Sequence, residues 1–382
     1  MYCFKCYSCT FIDFFHVFML SLTILMLWRS LMTTLKEIAD LAGVSRGTVD
    51  RVLNHRGSVN PKTAEKVMNI VQALDYQPNR AGTALAAQKK KYKIGVILFG
   101  RSNPFFDDVM YGVQAKADEL KGYGITTITR RVDFDADAQL TAIDELAAEG
   151  INGLVLAPYN DLTLRGRINE LSENHIPVVT INTDIEGSRR LAYVGSDYYQ
   201  GGCIAAGLFA LASPDTLSLG IITGSDGVLC HTERIRGLQT TLSASYAHIN
   251  IVGIAENHDD EIESYTVTKE LLAAHPNTDA LFFTAGGIYG GCKAVTESGL
   301  HPRIITFDEV PTTLELLKNG TILATISQQP YHQGYHALDI LFEYLTSGIC
   351  PENELQYVSH SIVIRENLAE HMAVGNGINE KS

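Results

Sequence analysis

From residue 93 onward the sequence alternates short apolar runs with amphipathic stretches, and no other feature constrains the fold as strongly. The amphipathic stretches, such as residues 107–121 and 138–149, have the apolar period of helices, and the runs between them have the length of strands. Regular alternation of strands and helices predicts parallel sheets that helices cover on both faces. The strand-like runs are KIGVILFG, GITTITR, GLVLAP, PVVTIN, LSLGIITG, INIVGIA, DALFFTAGG and IITFDE.

These runs form two successive sets, and the change from one set to the next falls near residues 195–197. We therefore predict that residues 93–367 fold into a core of two similar α/β lobes. Ligands of such sheets bind at the carboxyl ends of the strands. The predicted ligand site is thus the cleft between the lobes.

The formal net charge of the 382-residue chain is −13, but this charge is unevenly distributed. Residues 32–93 contain 11 Lys and Arg against 5 Asp and Glu, a net charge of +6. Residues 94–382 contain 17 against 37, a net charge of −20. A basic head joined to an acidic body favours nucleic acid as a partner of the head alone.

Residues 32–77 have the pattern of a three-helix helix-turn-helix domain. Thr34 precedes an amphipathic helix and has Glu37 three residues later, which is the spacing of a capping box. Gly43 supplies the turn, and Ser45 is placed to cap a second helix.

A third helix is predicted to begin at about Pro61 and to end at Asp75. Each of the three helices has an apolar face, and these faces would form one small core. The predicted core residues are Leu35, Ile38, Ala39, Ala42, Val44, Val49, Val52, Leu53, Val67, Ile70, Val71 and Leu74.

The second helix of a helix-turn-helix lies in the major groove, with its first residues toward the base edges. Arg46 and Arg51 fall on its outward face, and arginine can present a bidentate fork to guanine. The predicted DNA-contacting residues of the head are Thr34, Ser45, Arg46, Gly47, Thr48, Arg51 and Asn54.

The run TLKEIADLAGVSRGTVDRVLNHRGSV, with PKTAEKV and LDYQPNRAGTAL after it, resembles the head and hinge of the LacI/GalR family of repressors. The resemblance implies a homodimer on operator DNA and a hinge over residues 78–92. In that hinge Asn79 begins a short helix and Leu85 is a wedge in the minor groove. Gly82 and Thr83 depart from the family's usual Ala-Arg.

Polar and aromatic side chains follow several of the strand-like runs. They comprise Asn103, Phe105 and Phe106 after the first run, Asn182, Thr183 and Asp184 after the fourth, Arg234 and Arg236 in GVLCHTERIRG, Asp308 in IITFDE, and Gln328 in ATISQQP. Amide and charged groups beside aromatic rings suit a neutral sugar or related polyol.

The layout of the core resembles that of the periplasmic pentose- and hexose-binding proteins, whose fold the LacI/GalR core shares. The resemblance implies that the effector contacts are Asn103, Phe105, Phe106, Asn182, Arg234, Asp308 and Gln328. At Ala285 and Gly286 the usual Asn-Asp is missing, so a polar contact is lost and the identity of the sugar stays open.

The amino-terminal residues 1–31 are expected to lie outside the fold as an upstream extension of the reading frame, and the tail 368–382 to be frayed. Residues 11–28 are strongly apolar, so two alternatives stay open. One is a signal peptide on an exported sugar-binding protein, which would have no use for a basic head. The other is a membrane tether on a regulator.

These features predict a cytoplasmic, dimeric transcription regulator that acts as a repressor and whose operator affinity is controlled by a small sugar or related polyol. No cofactor, metal or catalytic residue is predicted. The segment LFGRSNPFF has one glycine and so lacks a phosphate-cradling motif. Cys230, His231 and His258 are interpreted as ordinary residues of loop-like segments.

Overall fold

The computed structural model describes residues 34–53, 59–74, 76, 90–99, 103–133, 135–213 and 215–369. The chain divides into two compact units, a helical head and an α/β core. The predictions for the extension 1–31, for Asn54, for the hinge residues Asn79 and Leu85, and for the tail beyond 369 lie outside the described residues.

The head contains three helices, as predicted: α1 (Leu35–Ala42), α2 (Arg46–Leu53) and α3 (Pro61–Ala73). The Thr34 hydroxyl accepts a hydrogen bond from the Glu37 backbone N–H, and the Glu37 carboxylate accepts one from the Thr34 N–H, each at 3.3 Å. This capping box begins α1, and Gly43 ends it in the left-handed conformation, at a φ of 67°. Helix α3 ends two residues before the predicted Asp75.

The three helices enclose one small apolar core. Its fully buried members are Ile38, Ala39, Ala42, Val49, Val52 and Val67, and the partly buried ones include Leu35, Val44, Leu53, Ile70, Val71 and Leu74. Every predicted core residue of the head is in this set. The helical period read from the sequence is therefore confirmed.

The first lobe of the core is built on a six-stranded sheet whose strands are all parallel. Its strands are β1 (Lys93–Phe99), β2 (Thr126–Val132), β3 (Gly153–Leu156), β4 (Val178–Ile181), β5 (Ala192–Ser196) and β11 (Leu355–Val358). The helices between them are α4 (Phe105–Lys121), α5 (Ala136–Ala148) and α6 (Leu162–Glu173). The strand order is β11-β5-β4-β3-β1-β2.

The second lobe repeats this arrangement, with the order β12-β10-β9-β8-β6-β7. Its strands are β6 (Leu217–Thr223), β7 (Ile249–Glu256), β8 (Ala280–Phe283), β9 (Arg303–Phe307), β10 (Ala324–Ser327) and the antiparallel edge strand β12 (Ser361–Val363). The helices that follow β5 are α7 (Tyr198–Ala212), α8 (Leu229–Ser245), α9 (Glu261–Ala274), α10 (Ile288–Ser298), α11 (Pro311–Lys318) and α12 (Pro330–Ser347).

The chain crosses between the two sheets three times, whereas two successive sets of strands predicted a single crossing. It leaves the first sheet after β5, returns to it as β11, and crosses again to form β12. Strands β5, β11 and β12 were not predicted because they lack long apolar runs; the residues of β11 alternate between exposed and half-buried positions.

Helices α7 and α8 of the second lobe approach each other closely at two glycines. A Cβ atom on Gly202 would lie 2.0 Å from the Arg234 carbonyl oxygen, and one on Gly237 would lie 2.0 Å from the Tyr199 carbonyl oxygen. Any side chain at either position would force the helices apart. The glycines therefore set the position of α8, the helix that carries Arg234.

Candidate functional site: a cavity between the lobes

A cavity lies between the two lobes, at the carboxyl ends of their strands. The space among its lining atoms amounts to about 340 Å³, counting the part that is open to solvent. Its lining residues are Asn103, Phe105, Phe106, Asn182, Val228, Cys230, His231, Arg234, Asp259, Ala285, Gly286, Asp308 and Gln328. The fold thus brings all seven predicted effector contacts into one cavity.

The first lobe contributes an apolar wall and two amides. Phe105 and Phe106, in the first turn of α4, are buried, and their rings meet edge to face with centroids 5.2 Å apart. The Asn103 side-chain oxygen accepts a hydrogen bond from the Phe105 N–H at 3.0 Å, so its amide nitrogen keeps its donors for other partners. Asn182 follows β4 and is 6% exposed.

Arg234 is the cation of the second lobe's wall, and only 2% of its surface is exposed. The guanidinium lies 3.8 Å from the centroid of the Phe307 ring and 4.9 Å from that of Tyr198. It donates to the Thr284 carbonyl and to the Gln328 side-chain oxygen, the latter at 3.0 Å, while its Nε has no hydrogen-bond partner among the described residues. Because a buried charge needs hydrogen-bond partners, this geometry suits an oxygen-rich ligand.

Gln328 connects the polar groups of the cavity. Its amide nitrogen donates to the Asp308 carboxylate at 2.6 Å. Its amide oxygen accepts from Arg234 and, at 3.3 Å, from the Ser196 hydroxyl at the end of β5. The glutamine therefore orients a carboxylate and a guanidinium toward the same space.

The buried position of Asp308 disfavours the ionised form of its carboxyl group. Burial raises the pKa of its carboxyl to about 6, although Arg234 and Gln328 act in the opposite direction. Asp308 and Asn182 also have left-handed backbones, with φ of 72° and 62°. Residues in such conformations occur more often at functional sites than elsewhere.

A further carboxylate near the Phe105 end of the cavity titrates unusually. Burial raises the pKa of Asp108, on α4, to about 6, and the negative charges of Asp107 and Glu309 add to this effect. Glu309 belongs to the second lobe, next to Asp308. Acidic groups of both lobes thus raise the pKa of Asp108.

Three polar residues noted at strand ends do not line the cavity. Asp184 forms a bidentate ion pair with Arg190, with Nε–Oδ1 and Nη2–Oδ2 distances of 2.7 Å. Arg236 pairs with Glu233 on the outer face of α8. The Thr183 hydroxyl is buried and has no partner among the described residues, yet Thr183 does not line the cavity.

The cavity also contains residues that sequence reasoning missed. Cys230 and His231 lie in the first turn of α8, so the interpretation of their segment as a loop was wrong, because helical pitch brings them onto the face of Arg234. Asp259 follows β7, and attention to the end of that strand would have found it. His258, in contrast, is exposed and pairs with Glu256 and Glu263.

His231 adjoins Asp259, with 3.8 Å between its Nε2 and the carboxylate Oδ2. Its Nδ1 lies 3.0 Å from the Ser225 N–H and 3.2 Å from the Ser225 carbonyl oxygen, so either protonation state finds a partner. Burial lowers the pKa of His231, but the side chains of Cys230 and Asp259 outweigh it and raise the pKa overall.

On the head, the predicted DNA-contacting residues within the described part lie at the start of α1, in the case of Thr34, and at the start and middle of α2. Thr34, Ser45, Arg46, Gly47 and Arg51 are exposed, and Thr48 is half-buried. Ser45 caps the helix by accepting from the Thr48 N–H at 3.1 Å. The Arg51 guanidinium folds along the helix, with Nε 3.1 Å from the Gly47 carbonyl oxygen.

Within the described residues no three His, Cys, Asp or Glu side chains are grouped so that they could hold a metal ion. In the same part of the chain no helix is long and apolar enough to cross a membrane.

Two protein families match the chain. Residues 34–79 match the family of bacterial regulatory proteins of the lacI type, and residues 94–348, most of the chain, match the periplasmic binding protein domain. The first match covers the three-helix head, and the second covers the strands that surround the cavity.

Among similar proteins, the ribose operon repressor of Halalkalibacterium halodurans is 26% identical over 345 residues, which are 88% of this chain and 97% of that protein. The solved structure of GanP, a glucose-galactose binding protein from Geobacillus stearothermophilus, is 29% identical. It covers 72% of this chain and 98% of its own, with a TM-score of 0.67.

A solute-binding protein of Burkholderia graminis in complex with D-arabinose is 25% identical and covers 72% of this chain and 96% of its own, with a TM-score of 0.68. The binding proteins match the core alone, whereas the repressor matches nearly the whole chain. The chain therefore belongs to the lacI family of bacterial regulatory proteins: it is a DNA-binding transcription regulator with the core of a periplasmic sugar-binding protein.

Proposed function

We propose that this protein represses transcription by binding operator DNA, and that a neutral sugar in the cavity between the lobes controls its operator affinity. The observation that carries the proposal is the buried guanidinium of Arg234. It faces the cavity beside Asp308 and Gln328, and within the described part of the chain its Nε has no hydrogen-bond partner. The Phe105 and Phe106 rings on the opposite wall supply apolar surface for one face of a sugar ring.

Each of the seven predicted effector contacts has a role in this proposal. Arg234 and the amide nitrogens of Asn103, Asn182 and Gln328 donate hydrogen bonds to sugar oxygens. Asp308 accepts from a hydroxyl group, which suits the buried carboxylate because a hydroxyl donor favours its ionised form. The cavity binds and does not catalyse in this proposal, which agrees with the regulator and the sugar-binding proteins among its relatives.

The DNA contacts lie at the start of α2. Ser45, Gly47 and Thr48 approach the phosphates and base edges together with Thr34 and Asn54, and Arg46 and Arg51 read bases. For Arg51 this requires that its guanidinium leave the Gly47 carbonyl, an exposed contact of low cost.

The domain boundaries belong to the same proposal. The DNA-binding domain spans residues 32–77, the hinge 78–92 and the effector-binding core 93–367, with a tail over 368–382. In the hinge Asn79 begins the helix and Leu85 enters the minor groove. The protein acts as a homodimer in the cytoplasm, where the operator is, and a head of this kind reads symmetric half-sites.

Control by the sugar requires that the two conformations of the core bind it with different affinities. The cavity has walls from both lobes, so a ligand that contacts Asn103 on one side and Arg234 on the other favours the conformation in which the lobes are closed. By linkage, DNA and sugar then change each other's affinity by the same factor.

Thermal unfolding of the full chain in the presence of pentoses, hexoses, polyols and sugar phosphates tests the binding role. A ligand at about 100 times its Kd stabilises the folded protein by roughly 2.7 kcal/mol. Operator binding is then measured with and without the stabilising sugar.

The variants Asp308→Ala and Arg234→Ala should abolish the response to the sugar. Both should bind operator as tightly as the wild type does without sugar, if the sugar is an inducer. A normal sugar response in both variants would refute the site assignment. A chain that no sugar stabilises would refute the effector class.

A further inference from the structure

We propose that Asp259 is a specificity-determining residue of the cavity, and that it selects a neutral hexose or cyclitol over a pentose by accepting a hydrogen bond from an additional hydroxyl group. The inference rests on the proposed function, because it assumes that the cavity binds a sugar. The additional hydroxyl group binds at the end of the cavity that Asp259 and Gly286 line.

The carboxylate of Asp259 is held by a hydrogen bond at one oxygen, whereas the other oxygen has the His231 ring beside it, 3.8 Å away and beyond hydrogen-bond distance. Oδ1 accepts a hydrogen bond from the Gly286 backbone N–H at 2.6 Å. Oδ2 is buried and has no hydrogen-bond partner among the described residues, although 13% of the side chain is exposed and Asp259 lines the cavity. A buried carboxylate oxygen without a donor is costly, so its placement fits a donor on the ligand.

Hydrogen bonds of Asn257 hold the loop that carries Asp259 in place. The Asn257 side chain accepts from the Asp259 N–H at 3.1 Å and donates to the Gly286 carbonyl at 2.8 Å. The Asn257 N–H donates to the Thr223 carbonyl at 2.7 Å. His258 and Asp259 both have left-handed backbones, with φ of 47° and 60°. The carboxylate is therefore positioned before any ligand arrives.

Asp259 and Gly286 depend on each other. A Cβ atom on Gly286 would lie 2.8 Å from the Asp259 Oδ1, so the carboxylate keeps this position only while residue 286 has no side chain. The end of β8 is also where Ala285 and Gly286 lack the polar side chains usual in sugar-binding proteins. Asp259 thus supplies, from the loop after β7, a polar contact that β8 does not.

The chemistry of this contact sets the class of ligand. A carboxylate oxygen accepts from hydroxyl groups and repels anionic groups, so this end of the cavity favours a neutral ring over a sugar acid or a sugar phosphate. A pentose already has hydroxyl groups for Arg234, Asp308 and the amides of the cavity. The hydroxyl group that reaches Asp259 is the additional one of a hexose or cyclitol.

Titration calorimetry of the full chain with D-ribose, D-glucose, D-galactose and myo-inositol tests the proposal. The wild type should bind at least one of the six-carbon compounds more tightly than D-ribose. The main variant is Asp259→Asn, because Asn tolerates a left-handed backbone and keeps the contact to the Gly286 N–H. It should weaken the preferred six-carbon compound about tenfold, since a charge-assisted hydrogen bond is lost. Its affinity for D-ribose should be unchanged.

A double-mutant cycle with Gly286→Ala gives a second, independent measurement. Gly286→Ala should by itself reproduce the loss, because the added methyl group displaces the carboxylate. In an Asp259→Ala background the same substitution should have little further effect. Thermal unfolding of each variant without sugar identifies any that fail to fold, and Asp259→Asn remains informative if the alanine variants do.

The outcomes separate this inference from the proposed function. If the wild type binds none of the four compounds, the inference is overturned; the proposed function fails as well only if no sugar in the thermal-unfolding panel stabilises the chain. If the wild type binds a six-carbon compound and Asp259→Asn leaves its affinity unchanged, or weakens D-ribose equally, the role of Asp259 is refuted and the proposed function stands. Tighter wild-type binding of D-ribose than of every six-carbon compound would also overturn the inference.

Discussion

Replacing Asp308 by Asn should stabilise the ligand-free core while destroying its affinity for sugar. The pKa of Asp308 is raised from an ordinary value of 3.8 to about 6, chiefly by burial. Since each pKa unit corresponds to about 1.4 kcal/mol, keeping the carboxylate ionised in the cavity costs at most about 3 kcal/mol at neutral pH. Asn removes this cost and adds no backbone strain, because Asn tolerates the left-handed φ of 72° at this position. Its side-chain oxygen can still accept from the Gln328 amide.

The pH dependence of this gain follows from linkage. The folded protein binds the proton of Asp308 more tightly than the unfolded chain does, so the contribution of Asp308 to wild-type stability is intact below pH about 4 and is lost as the pH rises to about 6 and above. The variant has no titrating group there. Its advantage should therefore be near zero at pH 4 and reach a plateau above pH 7.

Urea unfolding of the core at pH 4.5 and at pH 7.5 measures this difference, with the free energy of unfolding obtained by linear extrapolation. The control is Asp133→Asn, which removes an exposed carboxylate of the first lobe and should change stability by less than about 0.5 kcal/mol at either pH. If Asp308→Asn is no more stable than the wild type at pH 7.5, or gains equally at both pH values, the burial argument is wrong. Unimpaired sugar binding by the variant would remove Asp308 from the site.

Two further substitutions test the hinge and the helix packing. Leu85→Ala should weaken operator binding in fluorescence anisotropy while leaving sugar affinity in calorimetry intact, because an apolar wedge acts on DNA alone; an equal loss of both would mean that Leu85 supports the core. Gly202→Ala should destabilise the core by roughly 1–3 kcal/mol and weaken sugar binding, because its methyl group would meet the Arg234 carbonyl and displace α8. Gly207→Ala, on the same helix with no atom of the described residues within 4 Å of the added methyl group, should instead be neutral or slightly stabilising; equal effects of the two glycine variants would contradict the packing argument.

Local sequence signals predicted the head in nearly full detail. The capping box of Thr34 and Glu37, the turn at Gly43 and the apolar stripe through Ile38 and Val49 each depend on neighbours a few residues away. Such features can be read from spacing alone, because helical pitch fixes which residues share a face. The predicted DNA-contacting surface on α2 stays a prediction.

Strand ends predicted much of the cavity for a similar reason. In a parallel sheet the carboxyl ends of all strands meet at one edge, so residues as distant in sequence as Asn103 and Gln328 were expected together. The structure does bring them into one cavity. The rule also selected Asp184 and Arg236, which form ion pairs elsewhere, because being near a strand end does not fix the direction of a side chain.

By itself the sequence determined the basic head, the alternation of strands and helices, and the residues at the ends of the strands, since these depend on local spacing and composition. Only the tertiary structure decided that β11 returns to the first sheet, that α8 turns Cys230 and His231 into the cavity, and that Asp259 occupies the space left by Gly286. These outcomes depend on contacts between segments far apart in the chain. Close packing settles such contacts, and no local pattern records them.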